Sequence, residues 1–445
     1  MKISLSEHFT YRKLLKFTAP SILMMLFLSI YSVVDGYFVS NYVGKTPFAA
    51  LNLIWPFVNI CGSLGFMVGT GGSALISKTR GEGDAEKANR IFSLLIYASV
   101  GMGLVLSVLG IVFLRPIAAF LGADGAMLDH CVVYGRTLLF GLVPFILQNV
   151  FQSFLISAER PDFGLKITVA AGLTNMALDA LFVGFLDWGL FGAAFATILS
   201  QTVGGLIPLI YFLLPNKSPY RLGKTNFDGR ALLKTCGNGS SEYVTNVSLS
   251  VVGMLFNYLL LQIAGENGVS AYGIVNYVGF LFIAVYLGFT GGSAPIVSYH
   301  FGADNRDELR GLFQKCLRLI ALFGVTLTTL AITLARPLAW LFAGYDKALM
   351  EMTVRAMRLC FICYLPCAFN IFGSAFFTAL NDGATSALIS FLRTFLFQAG
   401  AILLVPVLLP AAMQLDGMWL SSTVSELLAL AVTLYCLHRK TKRIF

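Results

Sequence analysis

Two oxygen-bearing side chains lie four residues apart within an apolar run of this sequence. The run is LTNMALDALFV, residues 173–183, and it contains Asn175 and Asp179. Residues four apart lie on one face of a helix, one turn from each other. A carboxylate inside an apolar helix is costly, and such carboxylates are the usual proton acceptors in membrane relays. The pair therefore indicates a site for a proton or a small cation.

Two more oxygen donors fall at a similar depth in other apolar runs. Asp35 and Asp179 each lie about seven residues before the end of a run, and Thr197 lies about eight residues after the start of the next one. At 1.5 Å per residue, all three lie roughly 10–12 Å below the same surface. Asp35, Asn175, Asp179 and Thr197 together predict a site for H+ or Na+, and the protonation of the two aspartates would be coupled.

Two carboxylates in the second half of the chain, Glu242 and Glu426, are candidate cavity residues. Glu242 follows two glycines, and two interpretations stay open. It lines a central cavity, or it begins a helix and is stabilised by the positive helix end. Glu426 lies in SSTVSELL, and we expect hydroxyl neighbours to satisfy it structurally, namely Ser421, Ser422, Thr423 and Ser425.

These candidate residues belong to a chain with the composition of a membrane protein. Of its 445 residues, 57% are hydrophobic and 12% are charged, and the mean hydropathy is +0.79. Soluble domains carry about 25% charged residues. Twelve apolar stretches are each long enough to cross a bilayer, at roughly 14–42, 47–77, 90–114, 131–157, 164–186, 189–214, 231–264, 268–299, 311–335, 352–380, 384–409 and 417–437. The sequence predicts an all-α polytopic membrane protein.

The net charge of +9 is distributed very unevenly between the two ends of these spans. Of the 31 Lys and Arg residues, only Lys45, Arg115, Arg336 and Lys347 fall in the loops of one side, whereas 23 fall in the segments of the other side. By the positive-inside rule, both termini are expected in the cytoplasm. Anionic membrane lipids, not nucleic acid, are the expected partners of the basic residues.

The second half of the chain repeats the first. TGGSA at 70–74 returns at 290–294, RPIAAF from 115 matches RPLAWL from 336, and YGRTLLFGLVPF from 134 matches AMRLCFICYLPC from 356. We predict two lobes of six helices, 1–214 and 231–445, joined by a cytoplasmic linker at 215–230. An even number of spans per lobe relates the lobes by a pseudo-two-fold axis along the membrane normal. The acidic cluster is not repeated, because the counterpart of Asp179 falls in AILLVP, about 401–406.

The sequence resembles the MATE family, the multidrug and toxic compound extrusion transporters, and within it the DinF-like branch. The resemblance rests on APSILMMLFLSIYSVVDGYFVSNYVG, TNMALDALFV, GLFGAAFATILSQ and the two TGGSA segments. It implies drug–cation antiport, with a cation site in the N-lobe at Asp35, Asn175, Asp179 and Thr197. The start of span 7 departs from the family pattern, since CGNGSSE stands where Gly-Leu-Pro is usual.

Enzymes that act on diphosphates, peptides or nucleotides carry characteristic sequence motifs. The chain has no DDxxD, HExxH or GxxxxGKS motif, which disfavours an enzyme, and the resemblance implies no cofactor other than the coupling ion. A flippase for a lipid or lipid-linked saccharide is the alternative transporter. We expect a monomer in a bacterial or archaeal plasma membrane, acting on small organic substrates.

Overall fold

The structure is a computed structural model. It describes residues 3–43 and 45–444, and the side chains of these except 32–42, 45, 46, 48, 49, 411, 443 and 444. The α-helices are α1 (Tyr11–Tyr42), α2 (Lys45–Gly81), α3 (Ala85–Phe120), α4 (Gly125–Phe140), α5 (Leu142–Ser157), α6 (Pro161–Asp179), α7 (Gly189–Leu213), α8 (Gly229–Gly302), α9 (Arg306–Thr333), α10 (Ala335–Ala343), α11 (Lys347–Cys360), α12 (Tyr364–Ala379), α13 (Gly383–Phe391), α14 (Phe397–Leu408) and α15 (Gln414–Ile444).

Short turns of other helix types join several of these helices into longer rods. Two π-helical turns follow α6 and α13, at Ala180–Phe185 and Leu392–Leu396, and 3-10 turns lie at Phe361–Cys363 and Ala411–Met413. Ten of the resulting helices are long and apolar enough to cross a membrane, and α4 with α5, bent by 55°, forms an eleventh span. The described chain is therefore a helical membrane protein, as the composition predicts.

The 74-residue helix α8 contains two spans and not one. Gly265 breaks it, with φ 64° and ψ −154°, a backbone conformation that glycine adopts readily and other residues do not. The rings of Phe256 and Tyr272, sixteen residues apart, stack with centroids separated by 4.3 Å. A straight helix would hold them about 24 Å apart, so the chain reverses at Gly265. This hairpin accounts for spans 7 and 8 and completes the twelve.

The helices pack into two hydrophobic clusters that follow the two halves of the chain. Helices α2 to α7 supply one cluster, centred on side chains such as Phe92 and Phe151. Helices α8 to α15 supply the other, around Phe361 and Trp419. The beginning of α1 crosses over, because Phe9 and Phe17 are buried in the second cluster. The first helix thus contacts both halves.

The connection between α7 and α8 lies against the first half. The Tyr220 ring stacks on Phe92 at 5.3 Å between centroids. The backbone N–H of Arg221 donates to Asn89 Oδ1 at 2.7 Å, and that of Gly223 donates to Ser93 Oγ at 3.2 Å. The segment that the sequence predicts as a linker is therefore fastened to α3.

The two halves meet closely at one end of the molecule, which we call the basic face. It carries residues 3–10 and the segments that connect α2 to α3, α4–α5 to α6, α7 to α8 and α8 to α9. Helices α2 and α8 touch there without intervening side chains, since a β-carbon on Gly239 would collide with the carbonyl of Met67 and one on Gly302 with that of Lys78. Gly239 lies ten residues inside α8, so the contact reaches about 15 Å inward.

Residues 4–9 strengthen this contact by bonding to a glutamate of each half. The hydroxyl of Ser4 and the backbone N–H of Leu5 donate to Glu159 Oε1 at 2.9 and 3.1 Å. The backbone N–H of Phe9 donates to Glu308 Oε1 at 2.9 Å. Leu5 and Phe9 are fully buried. The segment therefore bridges the halves and closes the basic face.

Candidate functional site

Asp179 is the last residue of α6 and is completely buried, with 0% of its surface exposed. The π-helical turn Ala180–Phe185 follows it directly. Such turns are rare and are frequently found at functional sites. From residue 167 to residue 216, which includes most of α6 and all of α7, the sequence contains no Lys or Arg. A carboxylate therefore lies deep in a region where α7, and α6 beyond Lys166, supply no basic side chain.

Asn175 shares the buried face of α6 with Asp179, as the sequence predicts. Thr168, Gly172, Asn175 and Asp179 are all buried, at spacings of four, three and four residues that place them along one side of a helix. Helix α1 packs against this side, because a β-carbon on Gly172 would lie 3.1 Å from a ring carbon of Tyr31. The polar groups of α6 are thus directed at α1 and the interior.

Thr197 lies on α7, the neighbour of α6. The two helices are joined at one end by the Phe182 and Trp188 rings, which stack at 4.8 Å between centroids. The Thr197 hydroxyl donates to its own helix, to the Ala193 carbonyl at 3.0 Å, and its oxygen keeps lone pairs for a further partner. Thr197 is half-buried. The described contacts bring Asn175 and Asp179 together on one helix and leave Thr197 on the adjacent one.

The predicted fourth member of the set, Asp35, lies in α1. Its side chain is outside the described residues.

A polar-lined cavity lies between α5, α6 and α7, on the basic-face side of Asn175. Its volume is about 10 Å³, and Gln148, Gln152 and Thr168 supply polar groups to a wall that is otherwise mostly apolar. Gln152 is 8% exposed, and its Oε1 has no hydrogen-bond partner among the described residues. A cavity of this size has room for about one water molecule, which would bond such a group. The sequence analysis overlooked this cavity, although Gln148 and Gln152 are four residues apart in an apolar span.

Glu426, in the second half, is held by two side chains from other helices. Arg393 Nε donates to Glu426 Oε1 at 2.8 Å, and Asn370 Nδ2 donates to Oε2 at 2.7 Å. The expectation that neighbouring hydroxyls satisfy Glu426 is wrong. Ser421 bonds the Met418 carbonyl, because a hydroxyl on a helix most readily reaches a carbonyl one turn back. Glu426 has a buried ion pair instead.

Glu242 is half-buried and lies thirteen residues inside α8, which begins at Gly229 after the N-cap Asp228. The positive helix end acts only over the first turn, so the interpretation of Glu242 as a helix-start residue is wrong. No described side chain forms an ion pair or hydrogen bond with its carboxylate, although the charge of Arg393 acts on it. Among the described residues, no group of three or more His, Cys, Asp or Glu side chains is arranged to hold a metal ion.

Comparisons with known proteins agree on one family. The family model described as MatE matches residues 20–181 and 243–401, one segment in each half. The multidrug export protein MepA of Staphylococcus aureus (strain NCTC 8325 / PS 47) is 24% identical over 430 residues, which cover 95% of this chain and 93% of that protein. MepA of Staphylococcus haemolyticus (strain JCSC1435) is 24% identical over 339 residues, covering 76% and 74%.

Solved structures show the same fold. An outward-facing conformation of a multidrug resistance MATE family transporter of the MOP superfamily has a TM-score of 0.92 and 21% identity, covering 98% of this chain and 97% of that one. A MOP superfamily transporter from Pyrococcus furiosus, whose binding pocket is described as having reverse polarity, has a TM-score of 0.90 at 21% identity, covering 98% and 97%. The expected two-lobe helical fold is confirmed.

Proposed function

Since the chain belongs to the MATE family of multidrug efflux transporters, we propose that it exports bulky, often cationic organic compounds in exchange for H+ or Na+. The observation that carries the exchange is the completely buried Asp179, one turn from the buried Asn175, in a helix that has no other charged residue after Lys166. Carboxylates inside membrane spans are rare, and they mark ion pathways and proton relays.

Asp35, Asn175, Asp179 and Thr197 form the proposed cation site. Helices α1 and α6 run in the same direction and touch at Tyr31 and Gly172. Asp35 follows Tyr31 by four residues, and Asn175 and Asp179 follow Gly172 by three and seven. The α1 backbone at Asp35 is therefore level with the polar face of α6. This supports a site that α1 and α6 share.

The closed basic face supports a role for this site in alternating access. With both termini in the cytoplasm, as the positive-inside rule indicates, the protein is closed toward the cytoplasm and faces outward. A cation that binds Asp179 and Asp35 neutralises them and alters the packing of α1. Because the start of α1 is buried in the other half, such a change is transmitted to the contact between the halves. The ion shifts the equilibrium by its different affinities for the two states.

Glu242 is the proposed contact for a cationic substrate. Its carboxylate lies about 20 Å inside α8 and bonds no described side chain, whereas Glu426 is bonded to Arg393 and Asn370. A half-exposed negative charge between two lobes attracts organic cations. We place the protein, as a monomer, in the plasma membrane of a bacterium or archaeon, with anionic lipids around its basic face.

Transport by the purified protein in liposomes tests this function. Efflux of a cationic dye is measured under a proton gradient and, separately, under a sodium gradient. We expect one gradient to drive efflux and Asp179→Asn to abolish it. Asp129→Asn is the matched control, because Asp129 is an exposed carboxylate that only meets Arg115 at the surface.

Two results would contradict the proposal in different ways. If Asp179→Asn transports like the control, the cation site is elsewhere. If neither gradient drives any organic cation but labelled lipid crosses the bilayer, the protein is a flippase.

A further inference from the structure

Corresponding positions of the two halves are separated by a constant number of residues. Glu159 and Asn381 both have φ 58°, in the turns that precede α6 and α13. They are 222 residues apart, the same spacing that relates Arg136 to Arg358 in the sequence repeat. By this spacing, Arg393 corresponds to Ala171 of α6. The π-helical turn with Arg393 is therefore in the helix that matches α6, and α15 matches α7.

Arg393 and Glu426 meet between this matching pair of helices. The guanidinium Nε donates to Glu426 Oε1 at 2.8 Å, and a terminal nitrogen contacts Cys367 Sγ at 3.2 Å. The Arg393 and Glu426 side chains are 14% and 12% exposed. Asn370, from α12, donates to the other oxygen of Glu426. An acid, an amide and a cation thus meet in the second half, between the counterparts of the helices that carry Asn175, Asp179 and Thr197.

The guanidinium differs from a bound ion in two ways. It is always protonated, and it is covalently attached, so it cannot leave during a transport cycle. We propose that Arg393 is a tethered cation that permanently fills the second-half counterpart of the cavity between α5, α6 and α7, because Asn370 and Glu426 stand 222 residues after the wall residues Gln148 and Gly204. The second half therefore exchanges no ion at this position. This inference rests on the proposed function of Asp179 and its neighbours.

The proposal predicts that removal of the arginine creates a cation site. Without it, Glu426 keeps its negative charge inside the second half, and Asn370 Oδ1, which is buried without a described partner, stays beside it. A planar guanidinium matches a carboxylate in shape and charge. Methylguanidinium is therefore the probe, because it reproduces the lost end of Arg393.

The experiment is made in an Asp179→Asn background, so that the first-half site does not contribute. Thermal unfolding is followed with and without methylguanidinium, with N-methylglucamine as the control for ionic strength. Asp179→Asn alone should show no specific shift. Asp179→Asn/Arg393→Ala should be stabilised by about 3 °C or more at a few millimolar probe, with one saturable site by calorimetry. Further substitution of Glu426→Gln should remove that shift.

Conservative variants complete the test. Asp179→Asn/Arg393→Lys should show no shift, because the lysine fills the site. If Arg393→Ala does not fold, Arg393→Ala/Glu426→Gln should restore folding by removing both charges. Absence of a methylguanidinium shift in the folded Arg393→Ala protein, or failure of the neutral pair to fold, overturns the inference. Neither result depends on Asp179 being the coupling residue, which the liposome experiment decides.

Discussion

The buried polar side chains at corresponding positions of the two halves have different surroundings. In the first half, Gln152 and Thr168 line a cavity next to the face that carries Asp179. Their counterparts at the 222-residue spacing are Ser374 and Ser390, whose hydroxyls are 3.0 Å apart and bond each other. In the second half, small side chains bond one another directly. At these counterpart positions the duplicated fold has a small cavity in the first half and a direct hydrogen bond in the second.

The same contrast holds for the carboxylates. Glu426 has a permanent partner in Arg393, whereas α6 beyond Lys166 and the whole of α7 contain no basic residue. A satisfied charge contributes to stability, and a charge that must accept and release an ion contributes to function. The comparison indicates that the role of an acidic residue inside a membrane span depends on which side chains bind it. The following experiments test whether Asp179 and Glu426 differ in this way.

The largest effect is expected from a matched pair of neutral substitutions, Glu426→Gln and Asp179→Asn. Glu426→Gln leaves the buried Arg393 charge without its counterion and should lower the free energy of unfolding by roughly 3–5 kcal/mol. Asp179→Asn replaces the carboxylate by an amide of similar shape and should lower it by about 1 kcal/mol, the typical cost of a point substitution. Equilibrium unfolding in mixed micelles measures both. Equal losses in the two variants would mean that Asp179 is as firmly paired as Glu426.

An intermediate effect is expected at the cavity of the first half. Gln152→Leu replaces a wall residue whose Oε1 lacks a described partner, and it should dry the cavity. We expect gradient-driven efflux to slow about tenfold, which corresponds to about 1.4 kcal/mol in a barrier, because the cavity beside the buried face of α6 loses its room for water. Gln262→Leu, at an exposed position of α8, is the control. An unchanged rate in Gln152→Leu would exclude the cavity as a route for the ion.

The smallest effect is expected at the turn before α13, where Asp382 stands at the counterpart position of Arg160. Burial acts to raise the pKa of Asp382, but hydrogen bonds from Lys440 and Thr385 outweigh it, and the pKa falls below its ordinary value of 3.8. A lowered pKa means that Asp382 stabilises the fold above about pH 4. That stability is lost as the pH falls through the pKa of the folded state.

Asp382→Asn should therefore cost stability at pH 7, by at most about 1 kcal/mol since the pair with Lys440 is partly exposed to solvent. Unfolding curves at pH 7 and at pH 3 measure the difference. The cost should be smaller at pH 3. An equal cost at both values would assign the effect to the N-cap hydrogen bond to Thr385 and not to the charge.

The sequence predicted the long helices, the repeat and the family, because span length, TGGSA and the LTNMALDALFV run are local patterns. The hairpin of α8 was also predicted as two spans. The partners of Glu426 were not predicted, since Asn370 and Arg393 are 56 and 33 residues away in the chain. Their meeting depends on which face each helix turns inward, and a run that is apolar on all sides does not specify a face. The cation site at Asp35, Asn175, Asp179 and Thr197 stays a prediction.

Residues 4–9 have a consequence for the order of events when the basic face opens. They bond Glu159 of one half and Glu308 of the other, so the halves separate only after one of these attachments breaks. Phe9 is also held by Lys315, whose ammonium group donates to its carbonyl at 2.7 Å, and it is buried among second-half side chains. The weaker attachment is then the one to Glu159. The first residues of the chain would move with the second half. The segment ahead of α1 would then expose Glu159, together with the Arg80 guanidinium that lies 2.9 Å from its carboxylate, to the cytoplasm once in every turnover.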